Sequence, residues 1–90
     1  MLKFIQHKFY GGVFVYYLQR LKDLREDEDL QQADIAKLLR TTQPQYSRYE
    51  TGERELPVRH LVTLADFYRV SADYILGRTN IKTYNIYHIK

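Results

Sequence analysis

Gln43, Gln45, Ser47 and Arg48 bring two amides, a hydroxyl and a guanidinium to one short segment, QPQYSR. Amides and guanidinium forks match the edges of nucleobases, while hydroxyl and guanidinium groups also match phosphate oxygens. Whether they act together depends on what holds them. Thr42 followed three residues later by Gln45 is a capping-box signature, so a helix starts near Gln43, and Pro44 sits in its first turn, where a missing N–H costs little. Helical spacing then turns Tyr46 and Tyr49 or Glu50 inward and leaves Gln43, Gln45, Ser47 and Arg48 on other faces.

The elements around this segment are also helical. Ile35, Ala36 and Leu39 give residues 32–39 one apolar face, so a second helix packs inward just before the tight turn. Leu18, Leu21, Leu24 and Arg25 define a first helix over about residues 17–26, with Gln19, Arg20, Lys22 and Asp23 outward, and residues 27–29 end it. Beyond the central helix, Thr51-Gly52 supplies a glycine stop and residues 53–56 a polar loop. Pro57 opens a fourth helix with Leu61, Leu64, Ala65 and Tyr68 as its buried stripe. Ser71 is a good N-cap for a short fifth helix that ends at Gly77, with Asp73 near the positive end of its dipole.

The ends differ in character. Residues 3–10 and 13–17 are rich in Phe, Tyr, Val and Ile and are separated by Gly11-Gly12, a two-residue hairpin signal. Residues 81–89 are rich in Ile and Tyr. Two readings stand side by side: short β-strands at the N- and C-terminal ends that pair within one chain or across a dimer, or a disordered N-terminal leader. The organisation expected is an N-terminal extension over residues 1–16, a helical domain over 17–79 and a C-terminal tail over 80–90.

Ninety residues with 44% hydrophobic content make one small domain, which buries only a little over ~60% of its unfolded surface and gains from dimerisation. The chain has no cysteine, which removes disulfide frameworks and thiolate metal sites and points to a reducing, cytoplasmic setting. The longest apolar run, residues 13–18, is far short of the ~20 residues a bilayer span requires. Only Lys3 marks the N-terminus before Gln6, His7 and Lys8 interrupt it, which argues against a secretory signal. The expected protein is soluble.

The formal net charge is +3, yet residues 17–79 hold ten basic side chains against all eleven acids, and Lys3, Lys8, Lys82 and Lys90 supply the positive balance. Local field matters more than the total. Five acids crowd into residues 23–29, whereas Arg40, Arg48, Arg54 and Arg59 cluster around the central helix with chiefly Glu53 and Glu55 opposing them.

Catalysis has little support. His7, His60 and His88 are scattered outside any metal-binding spacing, and each reads as a surface or interface residue; no Gly-rich loop cradles phosphates. Glu26 and Glu28 belong to a solvated charge run. No catalytic residue, metal or cofactor is expected.

With five helices placed, residues 17–79, some two thirds of the chain, resemble the Cro and phage-repressor type helix-turn-helix family, also called the XRE family. The likeness rests on separated motifs: QADIA at residues 32–36, YSRYETG at 46–52, LAD at 64–66 and SADYILG at 71–77. It implies an all-α, five-helix lambda-repressor-like DNA-binding domain, with helix 3 in the major groove and helix 2 across the backbone. A homodimeric, cytoplasmic repressor on a near-palindromic operator is the function implied, with double-stranded DNA as partner and no membrane. The alternative is an antitoxin-like or other protein interaction module on the same fold, since fold does not settle function and thirteen aromatics exceed a minimal reader's needs.

By the same resemblance Gln43 sits at the helix tip used for bidentate contact with adenine N6 and N7. Gln45 can do likewise or serve the capping box, Arg48 reads guanine or holds a phosphate, and Ser47 is a weaker candidate for either. Gln32 corresponds to a phosphate-positioning glutamine, and Thr42, Arg54 and Arg59 are further phosphate candidates. Arg25 and Glu50 correspond to a partly buried ion pair that ties helix 1 to helix 3, the arginine also facing the DNA backbone. Three positions depart from the family pattern. Arg40 stands where glycine is usual in the turn, Thr41 replaces a buried Val or Ile, and Pro44 removes a first-turn donor.

Overall fold

The computed structural model describes residues 8–83, with side chains from residue 16 onward. Five helices are present: α1 (Lys8–Asp27), α2 (Gln32–Leu38), α3 (Gln43–Thr51), α4 (Val58–Tyr68) and α5 (Ala72–Ile75). Among the described residues there is no strand. The expected all-α architecture therefore holds, and the N-terminal hairpin does not. Gly11-Gly12 lie inside α1, which starts at Lys8 rather than near Tyr17. Each glycine costs a helix about 1 kcal/mol, but neither blocks it as proline would, and a helix already nucleated further along propagates without a new nucleus. Residues 1–7 and 84–90, which carry most of the remaining strand readings, lie outside the described residues.

Local chemistry sets where the helices begin and end. Asp29, at φ 57°, turns the chain out of α1, and Asp34 Oδ2 accepts from the Gln31 N–H at 2.7 Å to start α2. Arg40 adopts φ 59° after α2, so the turn keeps the left-handed conformation that usually calls for glycine. Thr42 Oγ1 then accepts from the Gln45 N–H at 3.2 Å at the head of α3. Only half of the expected capping box forms, because the Gln45 side chain turns elsewhere. Gly52, at φ 86°, closes α3, Pro57 precedes α4, and Ser71 Oγ caps α5 by accepting from the Tyr74 N–H at 3.0 Å.

α2 packs on α3, α1 lies across α3 and α5, and α4 packs on α5. The side chains of Leu21, Tyr46, Leu64 and Ile75 are completely buried at the centre, with Ile35, Ala36, Leu39, Tyr49, Leu56 and Val70 around them. The helical members are the stripes that the 3.6-residue period marks, whereas Val70 and Leu56, the latter expected in a polar loop, are buried from the segments between helices. Two polar residues also depart from expectation. His60 is buried, its ring edge-on to Tyr49 with centroids 5.8 Å apart, because it falls on the arc of α4 that faces α3. Arg20 is not outward: its guanidinium lies 3.9 Å from the centre of the Tyr74 ring and donates to the Thr79 carbonyl at 2.8 Å. It fastens α1 to α5 and the segment after it. Gly77 at φ 81° lets that junction close, since a Cβ there would lie 2.6 Å from Tyr16 Cβ.

Candidate nucleic-acid interface

α3 buries Tyr46, Tyr49 and Glu50 on one side. The opposite arc leaves Gln43, Pro44 and Arg48 exposed, with Ser47 and Gln45 half-buried at its margins. Thr42 is exposed at the helix head, directly after the turn. The tyrosine pair Tyr46 and Tyr49 meets edge to face, with centroids 6.2 Å apart, and anchors this helix from within.

A polar relay runs behind the exposed tip. Gln43 Nε2 donates to Gln32 Oε1 at 2.7 Å, and Gln32 Nε2 donates to Glu50 Oε1 at 3.0 Å. Arg25 Nε donates to Glu50 Oε2 at 2.7 Å and Arg25 Nη2 to Glu50 Oε1 at 3.1 Å, while Nη1 reaches the Leu30 carbonyl at 2.9 Å. The ion pair expected between α1 and α3 is therefore bidentate, and it continues through α2 to the first residue of α3. Both partners are 9% exposed. Burial pushes the Glu50 carboxyl up, but the hydrogen bonds from Arg25 and Gln32 outweigh it and hold the group below the usual carboxylate range. The Arg25 guanidinium, hydrogen-bonded to Glu50, is held more firmly protonated than usual.

Two phenol hydroxyls, on Tyr46 and Tyr68, are buried beside this relay. Burial first, and the nearby Glu50 charge second, push both phenols above their ordinary range. They stay neutral.

Gln45 and Arg48 form a second, looser group. Gln45 Nε2 donates to the Tyr49 hydroxyl at 3.3 Å, and Arg48 Nη1 donates to Gln45 Oε1 at 3.4 Å. Arg48 also lies 3.8 Å from Glu53 at an exposed position, an ion pair of the kind that contributes little in water. An open groove of about 740 Å³ runs alongside, and Arg40, Thr42, Gln45, Arg59 and the edge of His60 line it. Burial and the neighbouring Arg59 charge hold the His60 imidazole below its ordinary pKa, which favours the neutral ring.

Of the residues singled out from the sequence, the structure gathers Arg25, Gln32, Gln43 and Glu50 into the relay, and Thr42, Gln45 and Arg59 around the groove. Ser47 and Arg54 belong to neither; Arg54 is exposed in the loop after α3. Sequence reasoning did not foresee the link from Gln43 through Gln32 to Glu50. No local pattern marks residues 11 and 18 positions apart, and only the packing of α2 on α3 brings them together.

Among the described residues no helix is long and apolar enough to cross a membrane, and no group of His, Asp or Glu is arranged to hold a metal ion.

A helix-turn-helix family model, HTH_3, matches residues 21–75, which begins inside α1 and ends with α5. The chain is 39% identical over 64 residues to the Bacillus subtilis (strain 168) protein named "Uncharacterized HTH-type transcriptional regulator YobD", covering 71% of this chain and 57% of that protein. It is 35% identical over 69 residues to "Uncharacterized HTH-type transcriptional regulator YqaE" of the same organism, covering 76% of this chain and 60% of that protein. The matched region thus spans less than two thirds of either relative. No solved structure matches the chain significantly. The helix order, the α2–turn–α3 geometry and these similarities agree: the chain belongs to the XRE-type helix-turn-helix family.

Proposed function

We propose that this chain is a sequence-specific DNA-binding transcriptional regulator that represses by occupying its operator. α3 enters the major groove with Gln43 foremost, and Gln45, Ser47 and Arg48 follow along the helix toward further bases or phosphates. Gln32, Thr42, Arg54 and Arg59 serve the phosphates on either side. Arg25, buried against Glu50, serves the fold. Two copies on a near-palindromic operator place their α3 helices about 34 Å apart, one helical turn. The dimer surface falls to α5 and the tyrosine-rich ends, where Tyr16 and Ile81 are 54% and 64% exposed.

The observation that carries this reading is the exposed Gln43 amide at the first residue of α3, backed at 2.7 Å by Gln32. A pre-set amide at a helix tip is what a base-reading contact requires. Titration of the protein onto duplex DNA at several salt concentrations tests it. Affinity should fall steeply and linearly on a double-logarithmic plot, since each phosphate contact releases condensed counterions.

A second reading, a protein interaction module on the same fold, has one observation in its favour: Val58 and Val62, one turn apart on α4, are 73% and 51% exposed. Binding to DNA that is absent or insensitive to salt would support that reading.

A further inference from the structure

Glu50 terminates a chain of hydrogen bonds that starts at the exposed tip of α3. Gln43 donates to Gln32, Gln32 donates to Glu50, and Arg25 donates to both carboxylate oxygens. A glutamine amide by itself is ambiguous, because a half-turn of its terminal bond exchanges donor and acceptor. A carboxylate is not, because it only accepts, and a guanidinium only donates. Gln32 is therefore obliged to turn its NH2 inward and its carbonyl outward. Gln43 in turn must give one N–H to that carbonyl. What remains free on Gln43 is one carbonyl oxygen and one N–H.

We propose that Glu50 is a specificity-determining positioning residue: through Gln32 its charge fixes the donor and acceptor order that Gln43 presents to a base, and so selects adenine over guanine. The inference rests on the reading of Gln43 as a base-contacting residue given above. Adenine offers a donor at N6 and an acceptor at N7, which one carbonyl and one N–H complement, whereas guanine offers two acceptors, O6 and N7. Glu50 is 9% exposed and acts only through the half-buried Gln32.

Glu50→Gln tests this with almost no change of shape. An amide at position 50 can donate to Gln32, which lets Gln32 turn its carbonyl inward and lets Gln43 face the base with two N–H groups. Relative affinities are measured on operator duplexes, recovered by selection, that differ at single base pairs. The preference for adenine over guanine at one base pair per half-site should narrow by about fivefold or more, with preferences elsewhere unchanged. In a Gln43→Ala background the same substitution should alter no preference.

Gln32→Met leaves the Arg25–Glu50 pair in place, should narrow the same preference, and decides the matter if Glu50→Gln does not fold. A folded Glu50→Gln protein that loses affinity for all duplexes equally, with its adenine preference intact, overturns the proposal and leaves the reading of Gln43 standing. If Gln43→Ala changes no base preference, the reading of Gln43 fails and the proposal fails with it.

Discussion

The Tyr17 hydroxyl accepts a 2.8 Å hydrogen bond from the Leu56 N–H, joining α1 to the loop between α3 and α4 across 39 residues of sequence. Both residues are buried, so this is the means by which a buried loop amide is satisfied. Burial pushes the Tyr17 phenol up, even though the Leu56 bond opposes it, and the hydroxyl stays protonated.

Tyr17→Phe keeps the ring and removes the acceptor. The orphaned N–H should cost about 1–3 kcal/mol, read as a lower urea midpoint with an unchanged slope. Because the bond lies away from the α3 tip, base preferences should not change. A variant as stable as the parent would mean that water replaces the hydroxyl.

Acid should destabilise the protein in two stages. The folded-state pKa of His60 is lowered by burial and by Arg59, so the unfolded chain binds the proton first, and stability falls as pH drops below the ordinary histidine value of about 6.5. Glu50 is also held low in the folded state. Its contribution is intact above the ordinary carboxylate range and is lost as pH falls through its depressed value. His60→Phe, which keeps a ring against Tyr49, should abolish the first stage and leave the second. Stability measured by urea unfolding between pH 7.5 and pH 3, on the order of the titration range of both groups, checks this; a first stage that survives in His60→Phe would assign it to another group.

Arg40 holds φ 59° in the turn between α2 and α3. A non-glycine residue there carries a strain of about 1–2 kcal/mol, partly offset by the freedom glycine regains in the unfolded chain. Arg40→Gly should therefore raise stability by up to about 1 kcal/mol. Since Arg40 also lines the groove beside Arg59, the variant should bind every DNA sequence somewhat more weakly. Thermal and urea unfolding give the first quantity, and titration on unrelated duplexes the second.

Much of this was legible in the sequence because it is local. The inward stripes of Ile35, Ala36 and Leu39, the Thr42 cap, the Gly52 stop and the Ser71 cap each follow from neighbours within one or two helical turns. The reach of α1 through Gly11-Gly12 was not, because a glycine pair looks the same in a hairpin and in a tolerated helical stretch. His60 and Arg20 were misread for a different reason. A polar residue on a helix is placed outward unless its partner is known, and their partners, Tyr49 and Tyr74, lie on other elements. The Arg25–Glu50 pair came from family resemblance, while its extension to Gln32 and Gln43 required the packed fold.

The central claim is that two α3 helices read one DNA site. Selection of bound sequences from a random duplex pool tests it most directly. The account predicts an inverted repeat whose half-sites are centred about 34 Å apart, one helical turn. Recovery of a pool no richer in any sequence than the starting one would contradict it.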